Sequence, residues 1–256
     1  MKPTSPAVET LLRVARYALR VPMLAWHVLV HLPPTLLVMS LFEGRPSAHA
    51  AVRWWSRGLL LVFGMRVERR GQPLPGGTLF VANHVSWIDI VVLHSQHMMG
   101  FIAKSEIRDW PVVGWVTTHA ETLFLQRGNS DSLSGVMEVM AERLRAGRAV
   151  AAFPEGGTRD GTQLGAFHAR IFTAAVAADA SVQPVALCYG MGCEAQTIVA
   201  FARRERFLGN FLRLLGEPAR PVTVHFLEPI LHAEHAGRRA IAHTARARVQ
   251  AAMEQA

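Results

Sequence analysis

His84 and Asp89 are the residues of this chain whose types and spacing suit proton chemistry. An imidazole with a carboxylate on one nitrogen has its tautomer fixed and its cation stabilised, so its other nitrogen is ready to take a proton from a hydroxyl. The two residues are five positions apart. On one straight helix, five steps of about 100° put side chains about 140° apart, and they do not meet. They meet if the chain turns from strand into helix between them. Ser86-Trp87-Ile88-Asp89 has capping-box spacing, with Ser86 as N-cap and the acid at N3, and an N3 carboxylate points back toward His84. The sequence has no Gly-x-Ser-x-Gly elbow. No elbow serine is there for the pair to activate, and the natural inference is that the substrate brings its own hydroxyl. Taken alone, a plain helix cap beside an incidental histidine accounts for the same residues.

Two other polar clusters follow apolar runs. Phe153-Pro154-Glu155-Gly156-Gly157-Thr158-Arg159 leaves its run through a rigid proline and a glycine pair, a loop suited to presenting backbone N–H groups to an anion. Arg127 follows Thr122-Leu123-Phe124-Leu125 and offers a forked contact to a phosphate. Lys104, after Gly100-Phe101-Ile102-Ala103, adds a point charge. Any one of these, alone, is more often a solvated surface charge than a ligand.

These clusters need a frame. Strands are expected at 78–82, 100–103, 122–125, 148–153, 182–187 and 221–227, with helices at 87–98, 130–146, 166–179, 205–215 and 234–253. Alternation of this kind specifies an α/β domain with helices covering a sheet. Gly71 to Gly77 is the loop leading into it. The clusters fall just after strands, where α/β proteins gather function.

Apolar residues make up 50% of the 256, and charged residues 18%. That excludes a disordered or collagen-like chain. Net charge is 27 − 19 = +8, which calls for an anionic partner: nucleic acid, anionic lipid or a phosphorylated small molecule. The arginines are dispersed, without an RNP-type aromatic block or zinc-finger spacing, which argues against nucleic acid. His94/His97 and His232/His235 are candidate metal pairs, but no His-Glu-x-x-His occurs. Cys188 and Cys193 read as buried or idle thiols.

Val21 to Phe42 is a 22-residue apolar stretch, long enough to cross a bilayer core. Pro33-Pro34 is expected to break or kink it. Basic residues flank it on both sides (Arg13, Arg16 and Arg20 before, Arg45, Arg53 and Arg57 after), which keeps both flanks in the cytoplasm. A broken helix that dips in and returns, or lies in the interface, fits better than a crossing. Val52 to Phe63, with paired Trp54 and Trp55, reads as an interfacial helix, though two ordinary packed helices remain an alternative.

Taken together, the blocks resemble the glycerolipid acyltransferase family, which contains the 1-acylglycerol-3-phosphate acyltransferases. Asn83, His84 and Asp89 match its first block. Thr122 to Arg127, led in by Ala103-Lys104-Ser105-Glu106 and Trp110-Pro111-Val112-Val113-Gly114, match the second. Phe153 to Gly156 match the third, and Val182-Gln183-Pro184-Val185-Ala186-Leu187 the fourth. The resemblance implies a single α/β domain over 67–256, with a mixed central sheet covered by helices (glycerol-3-phosphate acyltransferase-like), behind membrane-associating helices at 1–66. It implies transfer of an acyl group from acyl-CoA or acyl carrier protein to a lysolipid hydroxyl, with lysophosphatidic acid giving phosphatidic acid as the main reading. His84 would be the base and Asp89 would hold it. Lys104, Arg127, Glu155, Gly156, Gly157, Thr158 and Arg159 would bind substrate. Neither metal nor cofactor is expected, and the site of action is the cytoplasmic face of the inner membrane, reached monotopically or peripherally. The common third block continues Phe-Pro-Glu-Gly-Thr-Arg-Ser. Here Gly157, Thr158 and Arg159 hold those last three places, which shifts the arginine by one or replaces it with Thr158. Lyso-ornithine lipid, whose head group is an amino acid, is therefore the alternative acceptor, and an inactive membrane-binding scaffold the non-enzyme one.

Overall fold

A computed structural model describes residues 5–109, 114, 115, 117, 120–125, 130–231 and 237–256. Seven strands form its centre: β1 (Met65–Arg70), β2 (Leu79–Ala82), β3 (Gly100–Lys104), β4 (Leu123–Leu125), β5 (Val150–Ala152), β6 (Val182–Tyr189) and β7 (Arg220–Phe226). They lie in the order β1-β7-β6-β2-β5-β3-β4. The five strands from β6 to β4 are parallel. β7 runs antiparallel to β6, and β1 pairs parallel with β7, so the sheet is mixed. β1 went unforeseen because Met-Arg-Val-Glu-Arg-Arg carries almost no apolar signal. It is an edge strand with charged, solvent-facing side chains, which edges tolerate and centres do not.

Helices cover both faces. They are α1 (Pro6–Trp26), α2 (Leu32–Leu41), α3 (Pro46–Val62), α4 (Ile88–His94), α5 (Ser130–Arg145), α6 (Thr173–Ala178), α7 (Gln196–Val199), α8 (Phe207–Gly216) and α9 (Arg238–Glu254). Alternation along β2 divides the core. Phe80 and Ala82 join Phe63, Leu93, Phe101 and Leu187 on one face, while Leu79 and Val81 join Met140, Phe172 and Val249 on the other. The helix expected over 166–179 is shorter, a 3₁₀ turn at Ala169–Phe172 leading into α6.

The N-terminal stretch differs from expectation. One helix runs from Pro6 to Leu41 without a break at Pro33-Pro34. A π-helical turn, His27–His31, precedes the prolines, which then occupy the first turn of α2, where a missing N–H costs least. The Thr35 hydroxyl donates to the His31 carbonyl at 2.8 Å, one turn back along the helix. The expected seam between 66 and 67 falls inside β1, and Leu59, Leu60, Val62 and Phe63 belong to the same core as the sheet. Cys188 and Cys193 are joined in a disulfide, their Cα atoms 4.5 Å apart, because the chain reverses just after β6. They are not the free thiols the sequence suggested.

α1 is fastened to the domain by guanidinium groups. Arg20, buried, donates through Nη1 to the Leu215 and Glu217 carbonyls at 3.0 and 2.6 Å, and Arg16 donates to the Gly216 carbonyl at 3.1 Å. These close the open C-terminal end of α8, where cations also meet a favourable dipole. Arg20→Ala should therefore lower stability by about 2 kcal/mol, the scale for charged hydrogen bonds lost in a buried site. Urea unfolding in detergent would show a lower midpoint; an unchanged midpoint would mean that α1 is held by apolar contact alone.

Candidate active site

β2 lies between β6 and β5, and the chain leaves it through α4 toward β3, on the β5 side. Its C-terminal end is thus a switch point, where a crevice opens between diverging connections. The loop after β2 is turned out of the sheet by Asn83. The Asn83 amide donates to the Leu187 carbonyl at 2.9 Å and its Oδ1 accepts the Leu187 N–H at 2.8 Å. A side chain thereby continues the β2–β6 ladder while the backbone turns away.

Asp89, in the first turn of α4, is fully buried. Its Oδ2 accepts from His84 Nδ1 at 2.7 Å, from the Val85 N–H at 2.8 Å and from the Ser86 N–H at 2.9 Å. The strand-to-helix turn thus brings together the two residues that a straight helix would separate. Half of the expected capping box forms, since the acid takes the Ser86 N–H. The other half does not. The Ser86 hydroxyl donates to Asn210 Oδ1 at 2.9 Å, and Trp87 Nε1 donates to the same oxygen at 3.0 Å.

The third block closes on His84 from the other side. Phe153 stacks on the imidazole, ring centroids 3.8 Å apart and 11° from parallel. Glu155 is buried, and its carboxylate accepts the His84 N–H at 2.8 Å and the Gly165 N–H at 2.8 Å. Burial pushes its carboxyl pKa up, against the pull of those two amides. The Arg159 N–H donates to the His84 carbonyl at 2.8 Å, and its guanidinium folds back on the Glu155 carbonyl at 3.0 Å. Gly156 has φ 74°, a left-handed conformation that favours glycine. Gly156, Thr158 and Arg159 are exposed and Gly157 is half-buried. No described residue bonds His84 Nε2, and that nitrogen is the one left for a substrate.

Lys104 ends β3, but its side chain and the whole of Arg127 lie outside the described residues. Arg127 comes two positions after β4, which is three strands from β2, about 14 Å at the usual strand spacing. His94 is not a ligand. It is buried, its Nε2 is bonded to the Met99 carbonyl at 3.0 Å, and burial drops its pKa to about 4. His232 and His235 lie outside the described residues. Among the described residues no cluster of three or more His, Cys, Asp or Glu could hold a metal.

Sequence reasoning missed Phe153, Asn210 and Tyr189 as parts of the site. Asn210 is a polar residue on the buried side of α8, among Phe207, Phe211 and Leu214, and that mismatch was the available signal. It is fully buried, and its amide donates to the Val199 and Ala200 carbonyls at 3.3 and 3.2 Å and to Glu205 at 3.0 Å. Arg213 clasps Glu205 at 2.9 and 2.8 Å. The loop bearing His84 is therefore tied through Ser86 and Asn210 to an ion pair.

Residues 66–188 match the family described as Acyltransferase. A lyso-ornithine lipid O-acyltransferase of Pseudomonas aeruginosa is 36% identical over 72% of this chain and 71% of its own. The chain belongs to the acyltransferase family. A second lyso-ornithine lipid O-acyltransferase, from Brucella abortus, is 36% identical over 76% of this chain and 78% of its own. A 1-acyl-sn-glycerol-3-phosphate acyltransferase of Neisseria meningitidis serogroup B is 39% identical over 56% of this chain and 57% of its own. The crystal structure of the 1-acyl-sn-glycerophosphate acyltransferase PlsC of Thermotoga maritima shares the fold, with a TM-score of 0.71 over 97% of this chain and 96% of that one, at 19% identity. As a member of this family the chain is an enzyme that moves acyl groups, and a purely scaffolding role is set aside.

The hydrogen bonds from Arg213, first among the causes, pull the Glu205 carboxyl from 4.5 down to about 2. A depressed carboxyl contributes stability above its unfolded value and loses it as pH falls through the folded one. The stability gap between wild type and Glu205→Gln should therefore close as pH drops from 4.5 toward about 2. Thermal melts across that range test it, and a constant gap would show that the network does not depend on the charge.

Proposed function

We propose that this acyltransferase esterifies the free hydroxyl of a lysolipid with an acyl group from acyl-CoA or acyl carrier protein. One observation carries the reading: an imidazole whose Nδ1 is committed to a buried carboxylate at 2.7 Å and whose Nε2 has no bond among the described residues. His84 Nε2 takes the hydroxyl proton, the alkoxide oxygen attacks the thioester carbonyl, and the C–S bond breaks. The proton then passes from the imidazolium to the departing thiolate. Asp89 holds the ring and offsets its charge while the proton is aboard. The fatty chain goes directly to the acceptor, so no acyl-enzyme forms, and neither cofactor nor metal has a step to perform.

Lyso-ornithine lipid is the acceptor we favour. Two relatives of that name, from Pseudomonas aeruginosa and Brucella abortus, align over 71% and 78% of their length, against 57% for the Neisseria lysophosphatidate enzyme. The shifted Arg159, folded onto Glu155, agrees with a head group other than a glycerol phosphate. Lysophosphatidic acid is the second reading, supported by the 39% identity to that enzyme. Arg127 and Lys104 would meet the acidic part of the head group, and Gly156, Gly157, Thr158 and Arg159 would line the entrance.

We further propose that the enzyme sits on one leaflet, on the cytoplasmic face where acyl thioesters are made. Leu11, Leu19, Trp26 and Leu29 are 62–73% exposed along α1 and the π turn, while Arg16 and Arg20 on the opposite side are spent on α8. A helix fastened along the domain in this way suits an interface better than a crossing. On α8, Leu208 and Leu212 are exposed one turn apart, just after the exposed Arg203, Arg204 and Arg206. That pairing of apolar and basic groups fits an anionic lipid surface. The division into 1–66 for the membrane and 67–256 for catalysis is one of role, since α3 shares the core.

His84→Ala should lower turnover at least about 10²-fold, the scale for a general base. Arg127→Ala should mainly raise the acceptor KM, as loss of uniform binding does. Both are read with labelled acyl-CoA against lyso-ornithine lipid, lysophosphatidic acid and other lysophospholipids. Highest kcat/KM on lyso-ornithine lipid is expected; preference for lysophosphatidic acid would reinstate the second reading. Near-wild-type turnover in folded His84→Ala would remove the mechanism. For the membrane, Leu208→Glu with Leu212→Glu should weaken co-sedimentation with phosphatidylglycerol vesicles at an unchanged melting temperature. Undiminished co-sedimentation would put the contact elsewhere.

A further inference from the structure

Asp89 has a second oxygen. Oδ2 is committed to His84 and two backbone amides, while Oδ1 faces away from them and accepts the hydroxyl of Tyr189 at 2.5 Å. Tyr189 is the last residue of β6, fully buried in the core that holds Phe63 and Leu187. It is held on several sides. It pairs with Val222 across β7, its carbonyl accepts the Ala195 N–H at 2.9 Å, and Gly190 next to it is bonded to the Pro221 carbonyl at 3.0 Å. A ring so enclosed has no freedom to carry its hydroxyl elsewhere. Burial and the facing carboxylate both push the phenol pKa up, so the group is a permanent donor.

We propose that Tyr189 is a positioning residue for acyl transfer, fixing the rotation of the Asp89 carboxylate and drawing off part of its charge so that His84 is aimed and tuned as a base. The inference rests on the catalytic reading of His84. Its physical content is a division of one negative charge between two oxygens. A donor on Oδ1 withdraws charge from Oδ2 and weakens its hold on a protonated imidazole. The same donor satisfies an oxygen that would otherwise be buried without a partner, leaving the carboxylate free to turn. The charged groups facing this trio are few. Glu155 holds the His84 N–H and Arg159 leans on Glu155, and both belong to the loop on the far side of the imidazole. No charged side chain other than Asp89 is bonded to the Tyr189 hydroxyl among the described residues.

The chain has only two tyrosines, Tyr17 and Tyr189, so the hydroxyl is open to selective change. In Tyr189→Phe, kcat should fall about 10-fold with little change in either KM, the scale of one hydrogen bond to a charged group. The acid limb of the kcat/KM profile should move to higher pH, by about half a unit, because the carboxylate now holds the proton on His84 more strongly. In a Tyr17→Phe background, uniform 3-fluorotyrosine labelling leaves a single, more acidic phenol at 189. That stronger donor should move the acid limb to lower pH, the opposite direction, and it does so without deleting any group should Tyr189→Phe fold poorly. A structural role alone would lower stability and leave both limbs in place. Wild type and His84→Ala run alongside. If wild type transfers acyl groups and His84→Ala does not, yet both tyrosine changes leave the profile unmoved, the Tyr189 inference is wrong. If His84→Ala retains activity, the reading of the site itself is wrong.

Discussion

A carboxylate with no solvent contact is tolerated only when donors surround it, and Asp89 has four of them. Two are backbone amides of the turn after β2, one is the imidazole and one is a phenol from β6. This requirement shapes the centre of the molecule. The turn has to bend tightly enough to aim the Val85 and Ser86 amides inward, and β6 has to end where Tyr189 reaches Oδ1. Asn83 secures the second condition by bonding the turn to Leu187, two residues before Tyr189. The energetics of burying one charge and the geometry of orienting the His84 ring are therefore met by the same few bonds.

The second loop follows the same logic with different groups. Glu155 spends its carboxylate on the His84 and Gly165 amides, and the Arg159 amide takes the His84 carbonyl. His84 thus has its main chain held at both ends and its ring held by Phe153 in face contact. Rigidity of this kind suits the proposed role of His84, since a base held in place needs no reorganisation at each turnover. It also separates duties along a short stretch of chain. Buried Glu155 supports His84, whereas Gly156, Thr158 and Arg159 stay exposed.

Support for the site extends outward through α8. Asn210 gathers Ser86 and Trp87 on one oxygen and passes the connection to Glu205 and Arg213. The C-terminal end of the same helix is closed by Arg16 and Arg20 from α1. One ten-residue helix therefore lies between the His84 turn and the apolar N-terminal helix. The apolar N-terminal helix and the His84 turn are thus joined through one element.

Much of this was legible from residue types. The apolar runs located six of the seven strands, because the buried parallel strands β2 to β6 are largely apolar and β7, antiparallel to β6, buries every second residue; the polar blocks after β2 and β5 mark the candidate site. The edge strand β1 was not legible, since its charged residues face water and leave no pattern. The helix through Pro33-Pro34 was not legible either, because a local rule foretold a break and a π turn absorbed it. By itself the sequence determined which groups are of a type suited to the chemistry and which strands they follow, because side-chain type and apolar period are local properties. Only the tertiary structure decided that Ser86 turns to Asn210, that Phe153 covers the imidazole, that Glu155 serves His84 and that Tyr189 completes Asp89. Those pairings join residues up to 124 positions apart, and contacts at that range are set by how the sheet folds the chain back on itself.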